Sequence, residues 1–415
     1  MSKKTLTRKQ ELLAVIAISI YLFFIGVNRG GIQLVIADIT NLFNIGTEGI
    51  GLLAALQQIP PLFMPFLMGM VADKIGKKPV VIGFIVIFAI GCIICGNATG
   101  LVMYIIGTLV YKSGSTVSEN VATAVLADLD ENKGMQYINL SQFMFSLGAA
   151  AGPIVLEFCS SHFNTGWSFI FFVSTIFFII MALLLLLVKF PKNPEKPKAE
   201  SVVASGGKVT QKKKTFIKPI IIILAVGMFC IIGMEMGYGN FIDSFIDHKF
   251  SSNSTSAMTL SAFWVGMAIS RLLFSFVEYN AVRSIKICFA AAAIFMALLT
   301  FVKNPTSAII VSGLVGFAYG PTWCTINALA ASNSKGNSGA AVGLMAAASG
   351  IGGILVPGVM GFIAGKATVT AAIWTLVVIA VIGALVSLTL KSHRPEGKFT
   401  GDELQWPKKN SEDMK

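Results

Sequence analysis

Apolar residues in this chain come in twelve long runs separated by short polar breaks, at about 12–37, 47–72, 79–97, 101–127, 135–160, 166–189, 219–246, 257–278, 284–302, 306–331, 336–366 and 368–391. A helix rises about 1.5 Å per residue, so roughly 20 residues cross the hydrocarbon core of a bilayer. Runs of this length predict twelve membrane-spanning helices. The pattern falters at few places inside them. Span 1 is apolar until Gly26-Val27-Asn28-Arg29-Gly30-Gly31-Ile32-Gln33. Span 2 carries Gln57-Gln58 with Pro60, Pro61 and Pro65; proline removes a backbone hydrogen bond, which predicts a bent helix. Span 4 is the most polar, with Lys112, Gly114, Ser115, Thr116, Ser118, Glu119 and Asn120. Span 5 holds Gln142 and the small-residue face Gly148-Ala-Ala-Ala-Gly152-Pro153, suited to close helix contact.

One polar stretch is far longer than the others. Residues 190–218 contain Pro191, Pro194, Pro197, Ser205-Gly206-Gly207 and Lys212-Lys213-Lys214, a basic and flexible linker by composition. It divides the chain into a tail (1–11), a six-span bundle (12–189), the linker, a second six-span bundle (219–391) and a charged tail (392–415). The halves repeat at a displacement of about 205 residues. Gly69 and Asp73 fall on Phe274 and Glu278, Lys78 on Arg283, Gly148 and Pro153 on Gly352 and Pro357, Gly114 on Gly320, and Arg29 on Glu235. A shared displacement points to a parallel duplication.

The composition agrees: 55% hydrophobic, 13% charged, mean hydropathy +0.77 over 415 residues. The net charge of +12 would suggest nucleic acid in a soluble protein. Here its location decides otherwise. With both termini inside, 26 of the 32 Lys and Arg fall in cytoplasmic segments; Lys249, Lys303 and Lys366 fall outside, and Arg29, Lys112 and Arg271 lie within spans. That asymmetry is the positive-inside signature, so the charge reports topology and no nucleic-acid partner is expected. All six cysteines lie in or at the end of apolar runs, and Cys92-x-x-Cys95 reads as packing between Gly91 and Gly96. No metal cluster, phosphate loop or nucleophile–base set is visible, so neither a cofactor nor enzymatic activity is expected.

Ionisable side chains in hydrocarbon cost roughly 2.5–3.5 kcal/mol each, so each one needs a reason. Arg29 lies 17 residues from the inner end of span 1 and Glu235 lies 16 from the inner end of span 7, at similar depth in equivalent helices. They are expected to pair when the outer side is closed, or else to be neutralised separately by carbonyls or water. Lys112, Ser115 and Glu119 share a helix face, with Lys112 and Glu119 two turns apart and too distant to pair. Glu119 and Glu235 are the proton-carrier candidates, since a membrane carboxylate with a movable cation nearby takes up a proton readily. Arg271 reads as a clamp at the inner end of span 8 or as a partner of Glu119. Candidates for substrate hydrogen bonds are Asn28, Gln33, Gln57, Gln58, Asn120, Gln142, Tyr238, Asn240, Trp323 and Asn327, although amides in membrane helices also serve to glue helices together. The methionines read as packing.

The stretch Gly69-Met70-Val71-Ala72-Asp73-Lys74-Ile75-Gly76-Lys77-Lys78 sits between spans 2 and 3. Physically, Gly69 would allow two helix backbones to approach, Gly76 the sharp turn, and Lys74, Lys77 and Lys78 a cytoplasmic anchor. Its spacing resembles the loop 2–3 signature of the major facilitator superfamily. That resemblance implies an all-α fold of two six-helix bundles, with Gly69, Asp73, Gly76, Lys77 and Lys78 in gating; Arg271, read as a clamp at the inner end of span 8, is grouped with them. Glu235 within Ile232–Phe241, Ser118-Glu119-Asn120, and Phe263-Trp264-Val265-Gly266 to Ser270-Arg271 resemble segments of the fucose/hexose proton symporters. That branch carries an acidic residue in span 1, where this chain has Asn28-Arg29. Gly152-Pro153 resembles the signature of drug antiporters, with Val155 and Leu156 in place of its later glycines.

The expectation is a monomeric, multi-pass carrier in the cell membrane, both termini cytoplasmic, that moves a sugar or sugar-like solute by proton-coupled alternating access. Arg29 and Lys112 would balance the carboxylates or hold substrate. Two alternatives stay open. Three intramembrane cations against two carboxylates leave one positive charge, which favours an organic anion received by Lys112 and Arg29; the third reading is a drug–proton antiporter.

Overall fold

The computed structural model describes residues 6–129, 134–163, 166–191, 219–277, 279–333, 338–390 and 405–406. Fourteen helices among these residues account for the twelve spans. The first half comprises α1 (Arg8–Leu42), α2 (Gly46–Leu56), α3 (Ile59–Ile75), α4 (Lys77–Gly96), α5 (Leu101–Leu129), α6 (Gly134–Phe163) and α7 (Phe169–Leu187). The second comprises α8 (Pro219–Phe250), α9 (Asn253–Phe276), α10 (Ala281–Phe301), α11 (Pro305–Tyr319), α12 (Thr322–Ser332), α13 (Ser338–Lys366) and α14 (Val369–Leu388). The two-residue strands β1 (Tyr279–Asn280) and β2 (Gln405–Trp406) pair antiparallel. The linker expected at 190–218 lies outside the described residues from 192 onward.

Two spans are each built from two helices, a stronger interruption than a bend. Span 2 breaks at Gln57–Gln58, where Pro60 and Pro61 open α3 and can donate no backbone hydrogen bond to the turn before. Span 10 breaks at Gly320–Pro321 for the same reason. Span 1 is longer than its apolar run: α1 starts at Arg8, capped by the Thr7 hydroxyl, so residues 8–11 of the expected tail are helical. Among the described residues, eleven helical spans are long and apolar enough to cross a membrane. Span 4, formed by α5, falls short because of its polar residues, yet it packs against α3, α4 and α6 inside the first bundle.

The outer surface explains the composition. One face of α7 exposes Ile176, Ile179, Ile180, Leu183, Leu184 and Leu187, a patch that suits lipid and not water. Inside, both halves use one packing device. A side chain on Gly148 of α6 would strike the Phe23 backbone of α1, and one on Gly352 of α13 would strike the Phe229 backbone of α8. These contacts are displaced by 204 and 206 residues (352 − 148 and 229 − 23), so the duplicated positions do duplicated work.

The bundles meet unevenly. On the side away from the termini α2 lies against α13, so closely that a Cβ added to Gly51 would sit 2.7 Å from the Gly361 Cα. On the side of the termini α3 and α12 diverge. Gly69 belongs to this open half: the close helix contact expected there is absent among the described residues, where a Cβ would meet nothing within 4 Å. Gly76 adopts φ 98°, the conformation that makes the turn between α3 and α4 a glycine position.

Candidate functional site

A cavity of about 470 Å³ fills the gap between the bundles. Its walls are Gln58 at the break of span 2, Pro61 and Pro65 of α3, Thr116, Asn120 and Thr123 of α5, and Trp323, Asn327, Met345 and Ser349 from the second half. The helix breaks shape it. Each lets half a span lean outward while the other half stays packed on the closed side. Asn120, Trp323 and Asn327, three of the residues expected to hydrogen-bond substrate, line this cavity, and Asn120 and Asn327 donate to the carbonyls of Thr116 and Trp323 one turn back.

Deeper, toward the closed side, lies a second chamber of about 10 Å³ lined by Arg29, Ile32, Gln33, Gln57, Lys112, Met236 and Asn240. A space this small holds about one water. Met236 forms the partition. Its sulfur accepts hydrogen bonds from Arg29 Nη1 at 3.2 Å and from Gln58 Nε2 at 3.0 Å, both reaching across from the first bundle. Gln33 crosses the same divide: the Trp264 indole donates to its Oε1 at 3.1 Å. An indole can only donate, so the amide orientation is fixed and Nε2 is left without a partner, against Gly239. Gln57 Nε2 is likewise buried and unsatisfied, as is Asn240 Oδ1, while Asn240 Nδ2 donates to the Met236 carbonyl at 2.7 Å.

The charges gather here. Lys112 is 6% exposed, and among the described residues its ammonium has neither a hydrogen-bond acceptor nor a carboxylate within 4 Å; the Tyr111 ring lies 5.5 Å away. Glu119 and Glu235, one in each bundle, are half-buried. Arg29, Lys112, Arg271 and Glu235 all lie within electrostatic reach of Glu119. The expected Arg29–Glu235 ion pair is absent, although the far side is closed. Arg29 turns to Met236 instead, which requires no proton and no carboxylate. Arg271 bridges the bundles, donating to Ser146 Oγ at 2.7 Å and the Gln142 carbonyl at 3.5 Å on α6, and to the Gly320 carbonyl on α12's approach.

Other expectations part company with the structure. Asn28 donates to Ser174 of α7 at 2.8 Å, inside the first bundle, and lines neither cavity nor chamber. Tyr238 is fully buried, stacked on Phe263 and hydrogen-bonded to Ser312. Both are helix glue, satisfied by neighbours within their own half. Gln142 lines a small crevice beside Arg271 and Cys324. Lys77 bonds Asp128 and the Ala124 carbonyl, and Lys78 the carbonyls of Leu186 and Val188. Both lysines thus anchor the turn within the first bundle. Asp73 falls in the last turn of α3, and its side chain lies outside the described residues. Met236 and Trp264 were not among the predicted site residues. A thioether carries no polar signal in a sequence, and only its position one residue after Glu235 marked it.

Comparison with known proteins bears on this geometry. The family model described as Major Facilitator Superfamily matches residues 18–336 and 224–411. A Helicobacter pylori protein named, provisionally, a glucose/galactose transporter is 26% identical over 324 residues, covering 73% of this chain and 77% of its own. Multidrug resistance protein 2 of Bacillus subtilis is 21% identical over 370 residues, covering 87% and 90%. Among solved structures, a mutant of the nucleoside transporter NupG superposes with a TM-score of 0.70 at 16% identity, covering 90% of this chain and 99% of that one.

Proposed function

The chain belongs to the major facilitator superfamily, a multi-pass membrane transporter and not an enzyme, and on that premise we propose that it carries a small polar organic solute by proton-coupled alternating access. The observation that carries this reading is the cavity between the bundles, open on one side, with a buried charge cluster at its blind end. Basic residues crowd the side of the termini, which the positive-inside rule assigns to the cytoplasm of a plasma-membrane protein. The conformation is then inward-open. One chain encloses the whole path, so a monomer suffices.

Coupling would run through Glu119 and Glu235. Each is only half-buried, and each sits in the field of cations from both halves. Protonating either removes a charge that binds the halves electrostatically, so solute and proton together reset the relative stability of the two conformations. Arg271, on Ser146 and Gln142, and the turn around Asp73 would gate the cytoplasmic side. The sugar reading draws on the name of the Helicobacter relative and on the cavity amides Gln58, Asn120 and Asn327, which suit hydroxyls.

The name of the multidrug relative and the apolar lining residues Pro61, Pro65, Trp323 and Met345 favour a lipophilic cation as second reading. The surplus positive charge of the buried cluster opposes it. The test is uptake into proteoliposomes of radiolabelled hexoses, sugar acids and a lipophilic cation, with and without an imposed pH gradient. Gradient-dependent accumulation of a polar solute is the expected result. Movement of the cation alone, in exchange for protons, would replace this reading with antiport.

A further inference from the structure

Resting on the carrier reading, we infer that the chamber behind Met236 is a subsite for a carboxylate, so that the substrate class is a hydroxylated organic acid such as a sugar acid.

The chamber is rich in donors and poor in acceptors. Lys112 has no acceptor among the described residues, and Gln33 Nε2 and Gln57 Nε2 are buried without partners. Arg29 and Gln58 each aim one nitrogen at the sulfur of Met236. A thioether is a weak acceptor, and methionine has three rotatable bonds with which to leave. Opposing these donors is Asn240 Oδ1, a single unsatisfied oxygen. The buried Lys112 ammonium and the half-buried Arg29 guanidinium have no carboxylate in contact among the described residues, Glu119 lying only within electrostatic reach. That is costly, and a neutral sugar hydroxyl, which brings no charge, relieves little of the cost. A carboxylate relieves most of it: two oxygens, only accepting, with a negative charge.

The chamber's small volume fits an empty site. At about 10 Å³ it admits about one water while the Met236 sulfur occupies the place an anionic oxygen would take. Swinging that side chain aside joins the chamber to the cavity, because Gln58 lines the cavity and also holds Met236. The acid's carboxylate would then face Lys112 and Arg29, with its hydroxyl chain against Gln58, Asn120 and Asn327.

Thermal unfolding of the full-length detergent-solubilised protein, followed by tryptophan fluorescence, tests this with D-gluconate, D-galacturonate, D-glucose and sodium chloride at matched ionic strength. A saturable rise in melting temperature with a sugar acid, absent with glucose and chloride, is expected. Lys112→Gln should weaken it about tenfold or more, the loss of one charge-assisted contact. Met236→Leu keeps the volume, removes the competing acceptor, and should bind the acid at least as tightly; it keeps the inference testable if Lys112→Gln does not fold. Equal shifts with glucose and gluconate, a shift with chloride alone, or no shift with either acid overturns the subsite. Counterflow in proteoliposomes separates the two readings: exchange of a neutral sugar alone leaves the carrier standing without the subsite, whereas an acid that binds but is not exchanged removes the carrier reading and leaves the subsite.

Discussion

Gln33 shows how one side chain links the two halves. Its carbonyl oxygen holds the Trp264 indole across the interface, and its nitrogen rests against Gly239, where any Cβ would collide with the amide. Gly239→Ala should therefore break this bridge. We expect a destabilisation of about 1–3 kcal/mol, the usual cost of overpacking a tight contact, read as a fall in melting temperature; Gln33→Ala in the same background should restore part of it. An unchanged melting temperature in Gly239→Ala would contradict the contact. Individual polar residues were the hardest part of the site to read from sequence. Arg29, Lys112, Gln57 and Asn240 announced themselves as polar groups in apolar runs, and they do converge. Asn28 and Tyr238 gave the same signal but are satisfied by Ser174 and Ser312, because a buried amide or phenol is served as well by a neighbouring helix as by a ligand. Met236 gave no polar signal, being apolar by composition and an acceptor only by geometry.

At the scale of helices, length and apolarity were legible, and so was the trouble in span 2. What periodicity could not deliver was its form, two helices meeting at Gln57–Gln58, because proline's lost hydrogen bond is compatible with a kink or a break until the neighbours choose. Gly69 illustrates the converse. Glycine suits close packing, yet whether it packs depends on which side of the molecule is open. The closed side depends on the α2–α13 crossing at Gly51 and Gly361. Gly51→Val should wedge these helices apart, so that a cysteine placed at the buried position Ala54 reacts at least several-fold faster with a membrane-impermeant maleimide. Unaltered labelling would mean that the crossing does not seal the far side. The opposite gate is tested at Asp73. Asp73→Asn should hold the cavity open to the cytoplasm and speed labelling of a cysteine at the cavity residue Asn327; identical rates with and without the substitution would remove Asp73 from gating.

The whole molecule repeats one six-span unit, and the repeat was visible in residues that later proved to contact equivalent partners, Gly148 with Phe23 and Gly352 with Phe229. Duplication gives each half a wall of the cavity and one carboxylate of the buried cluster. The functional asymmetry lies in the cations: Arg29 and Lys112 come from the first half and Arg271 from the second, against Glu119 and Glu235. Protonating either glutamate raises the net charge of the cluster by one, so acid should strengthen binding of an anionic solute and alkali weaken it. The sign reverses for a cationic solute and nearly vanishes for a neutral one. The most direct test of proton coupling compares the wild-type protein with the double variant Glu119→Gln, Glu235→Gln in proteoliposomes. The wild-type protein should accumulate its solute only under an imposed pH gradient. The double variant should still exchange solute down its gradient but show no pH-driven accumulation. Accumulation that persists in the double variant would contradict proton coupling through these two carboxylates.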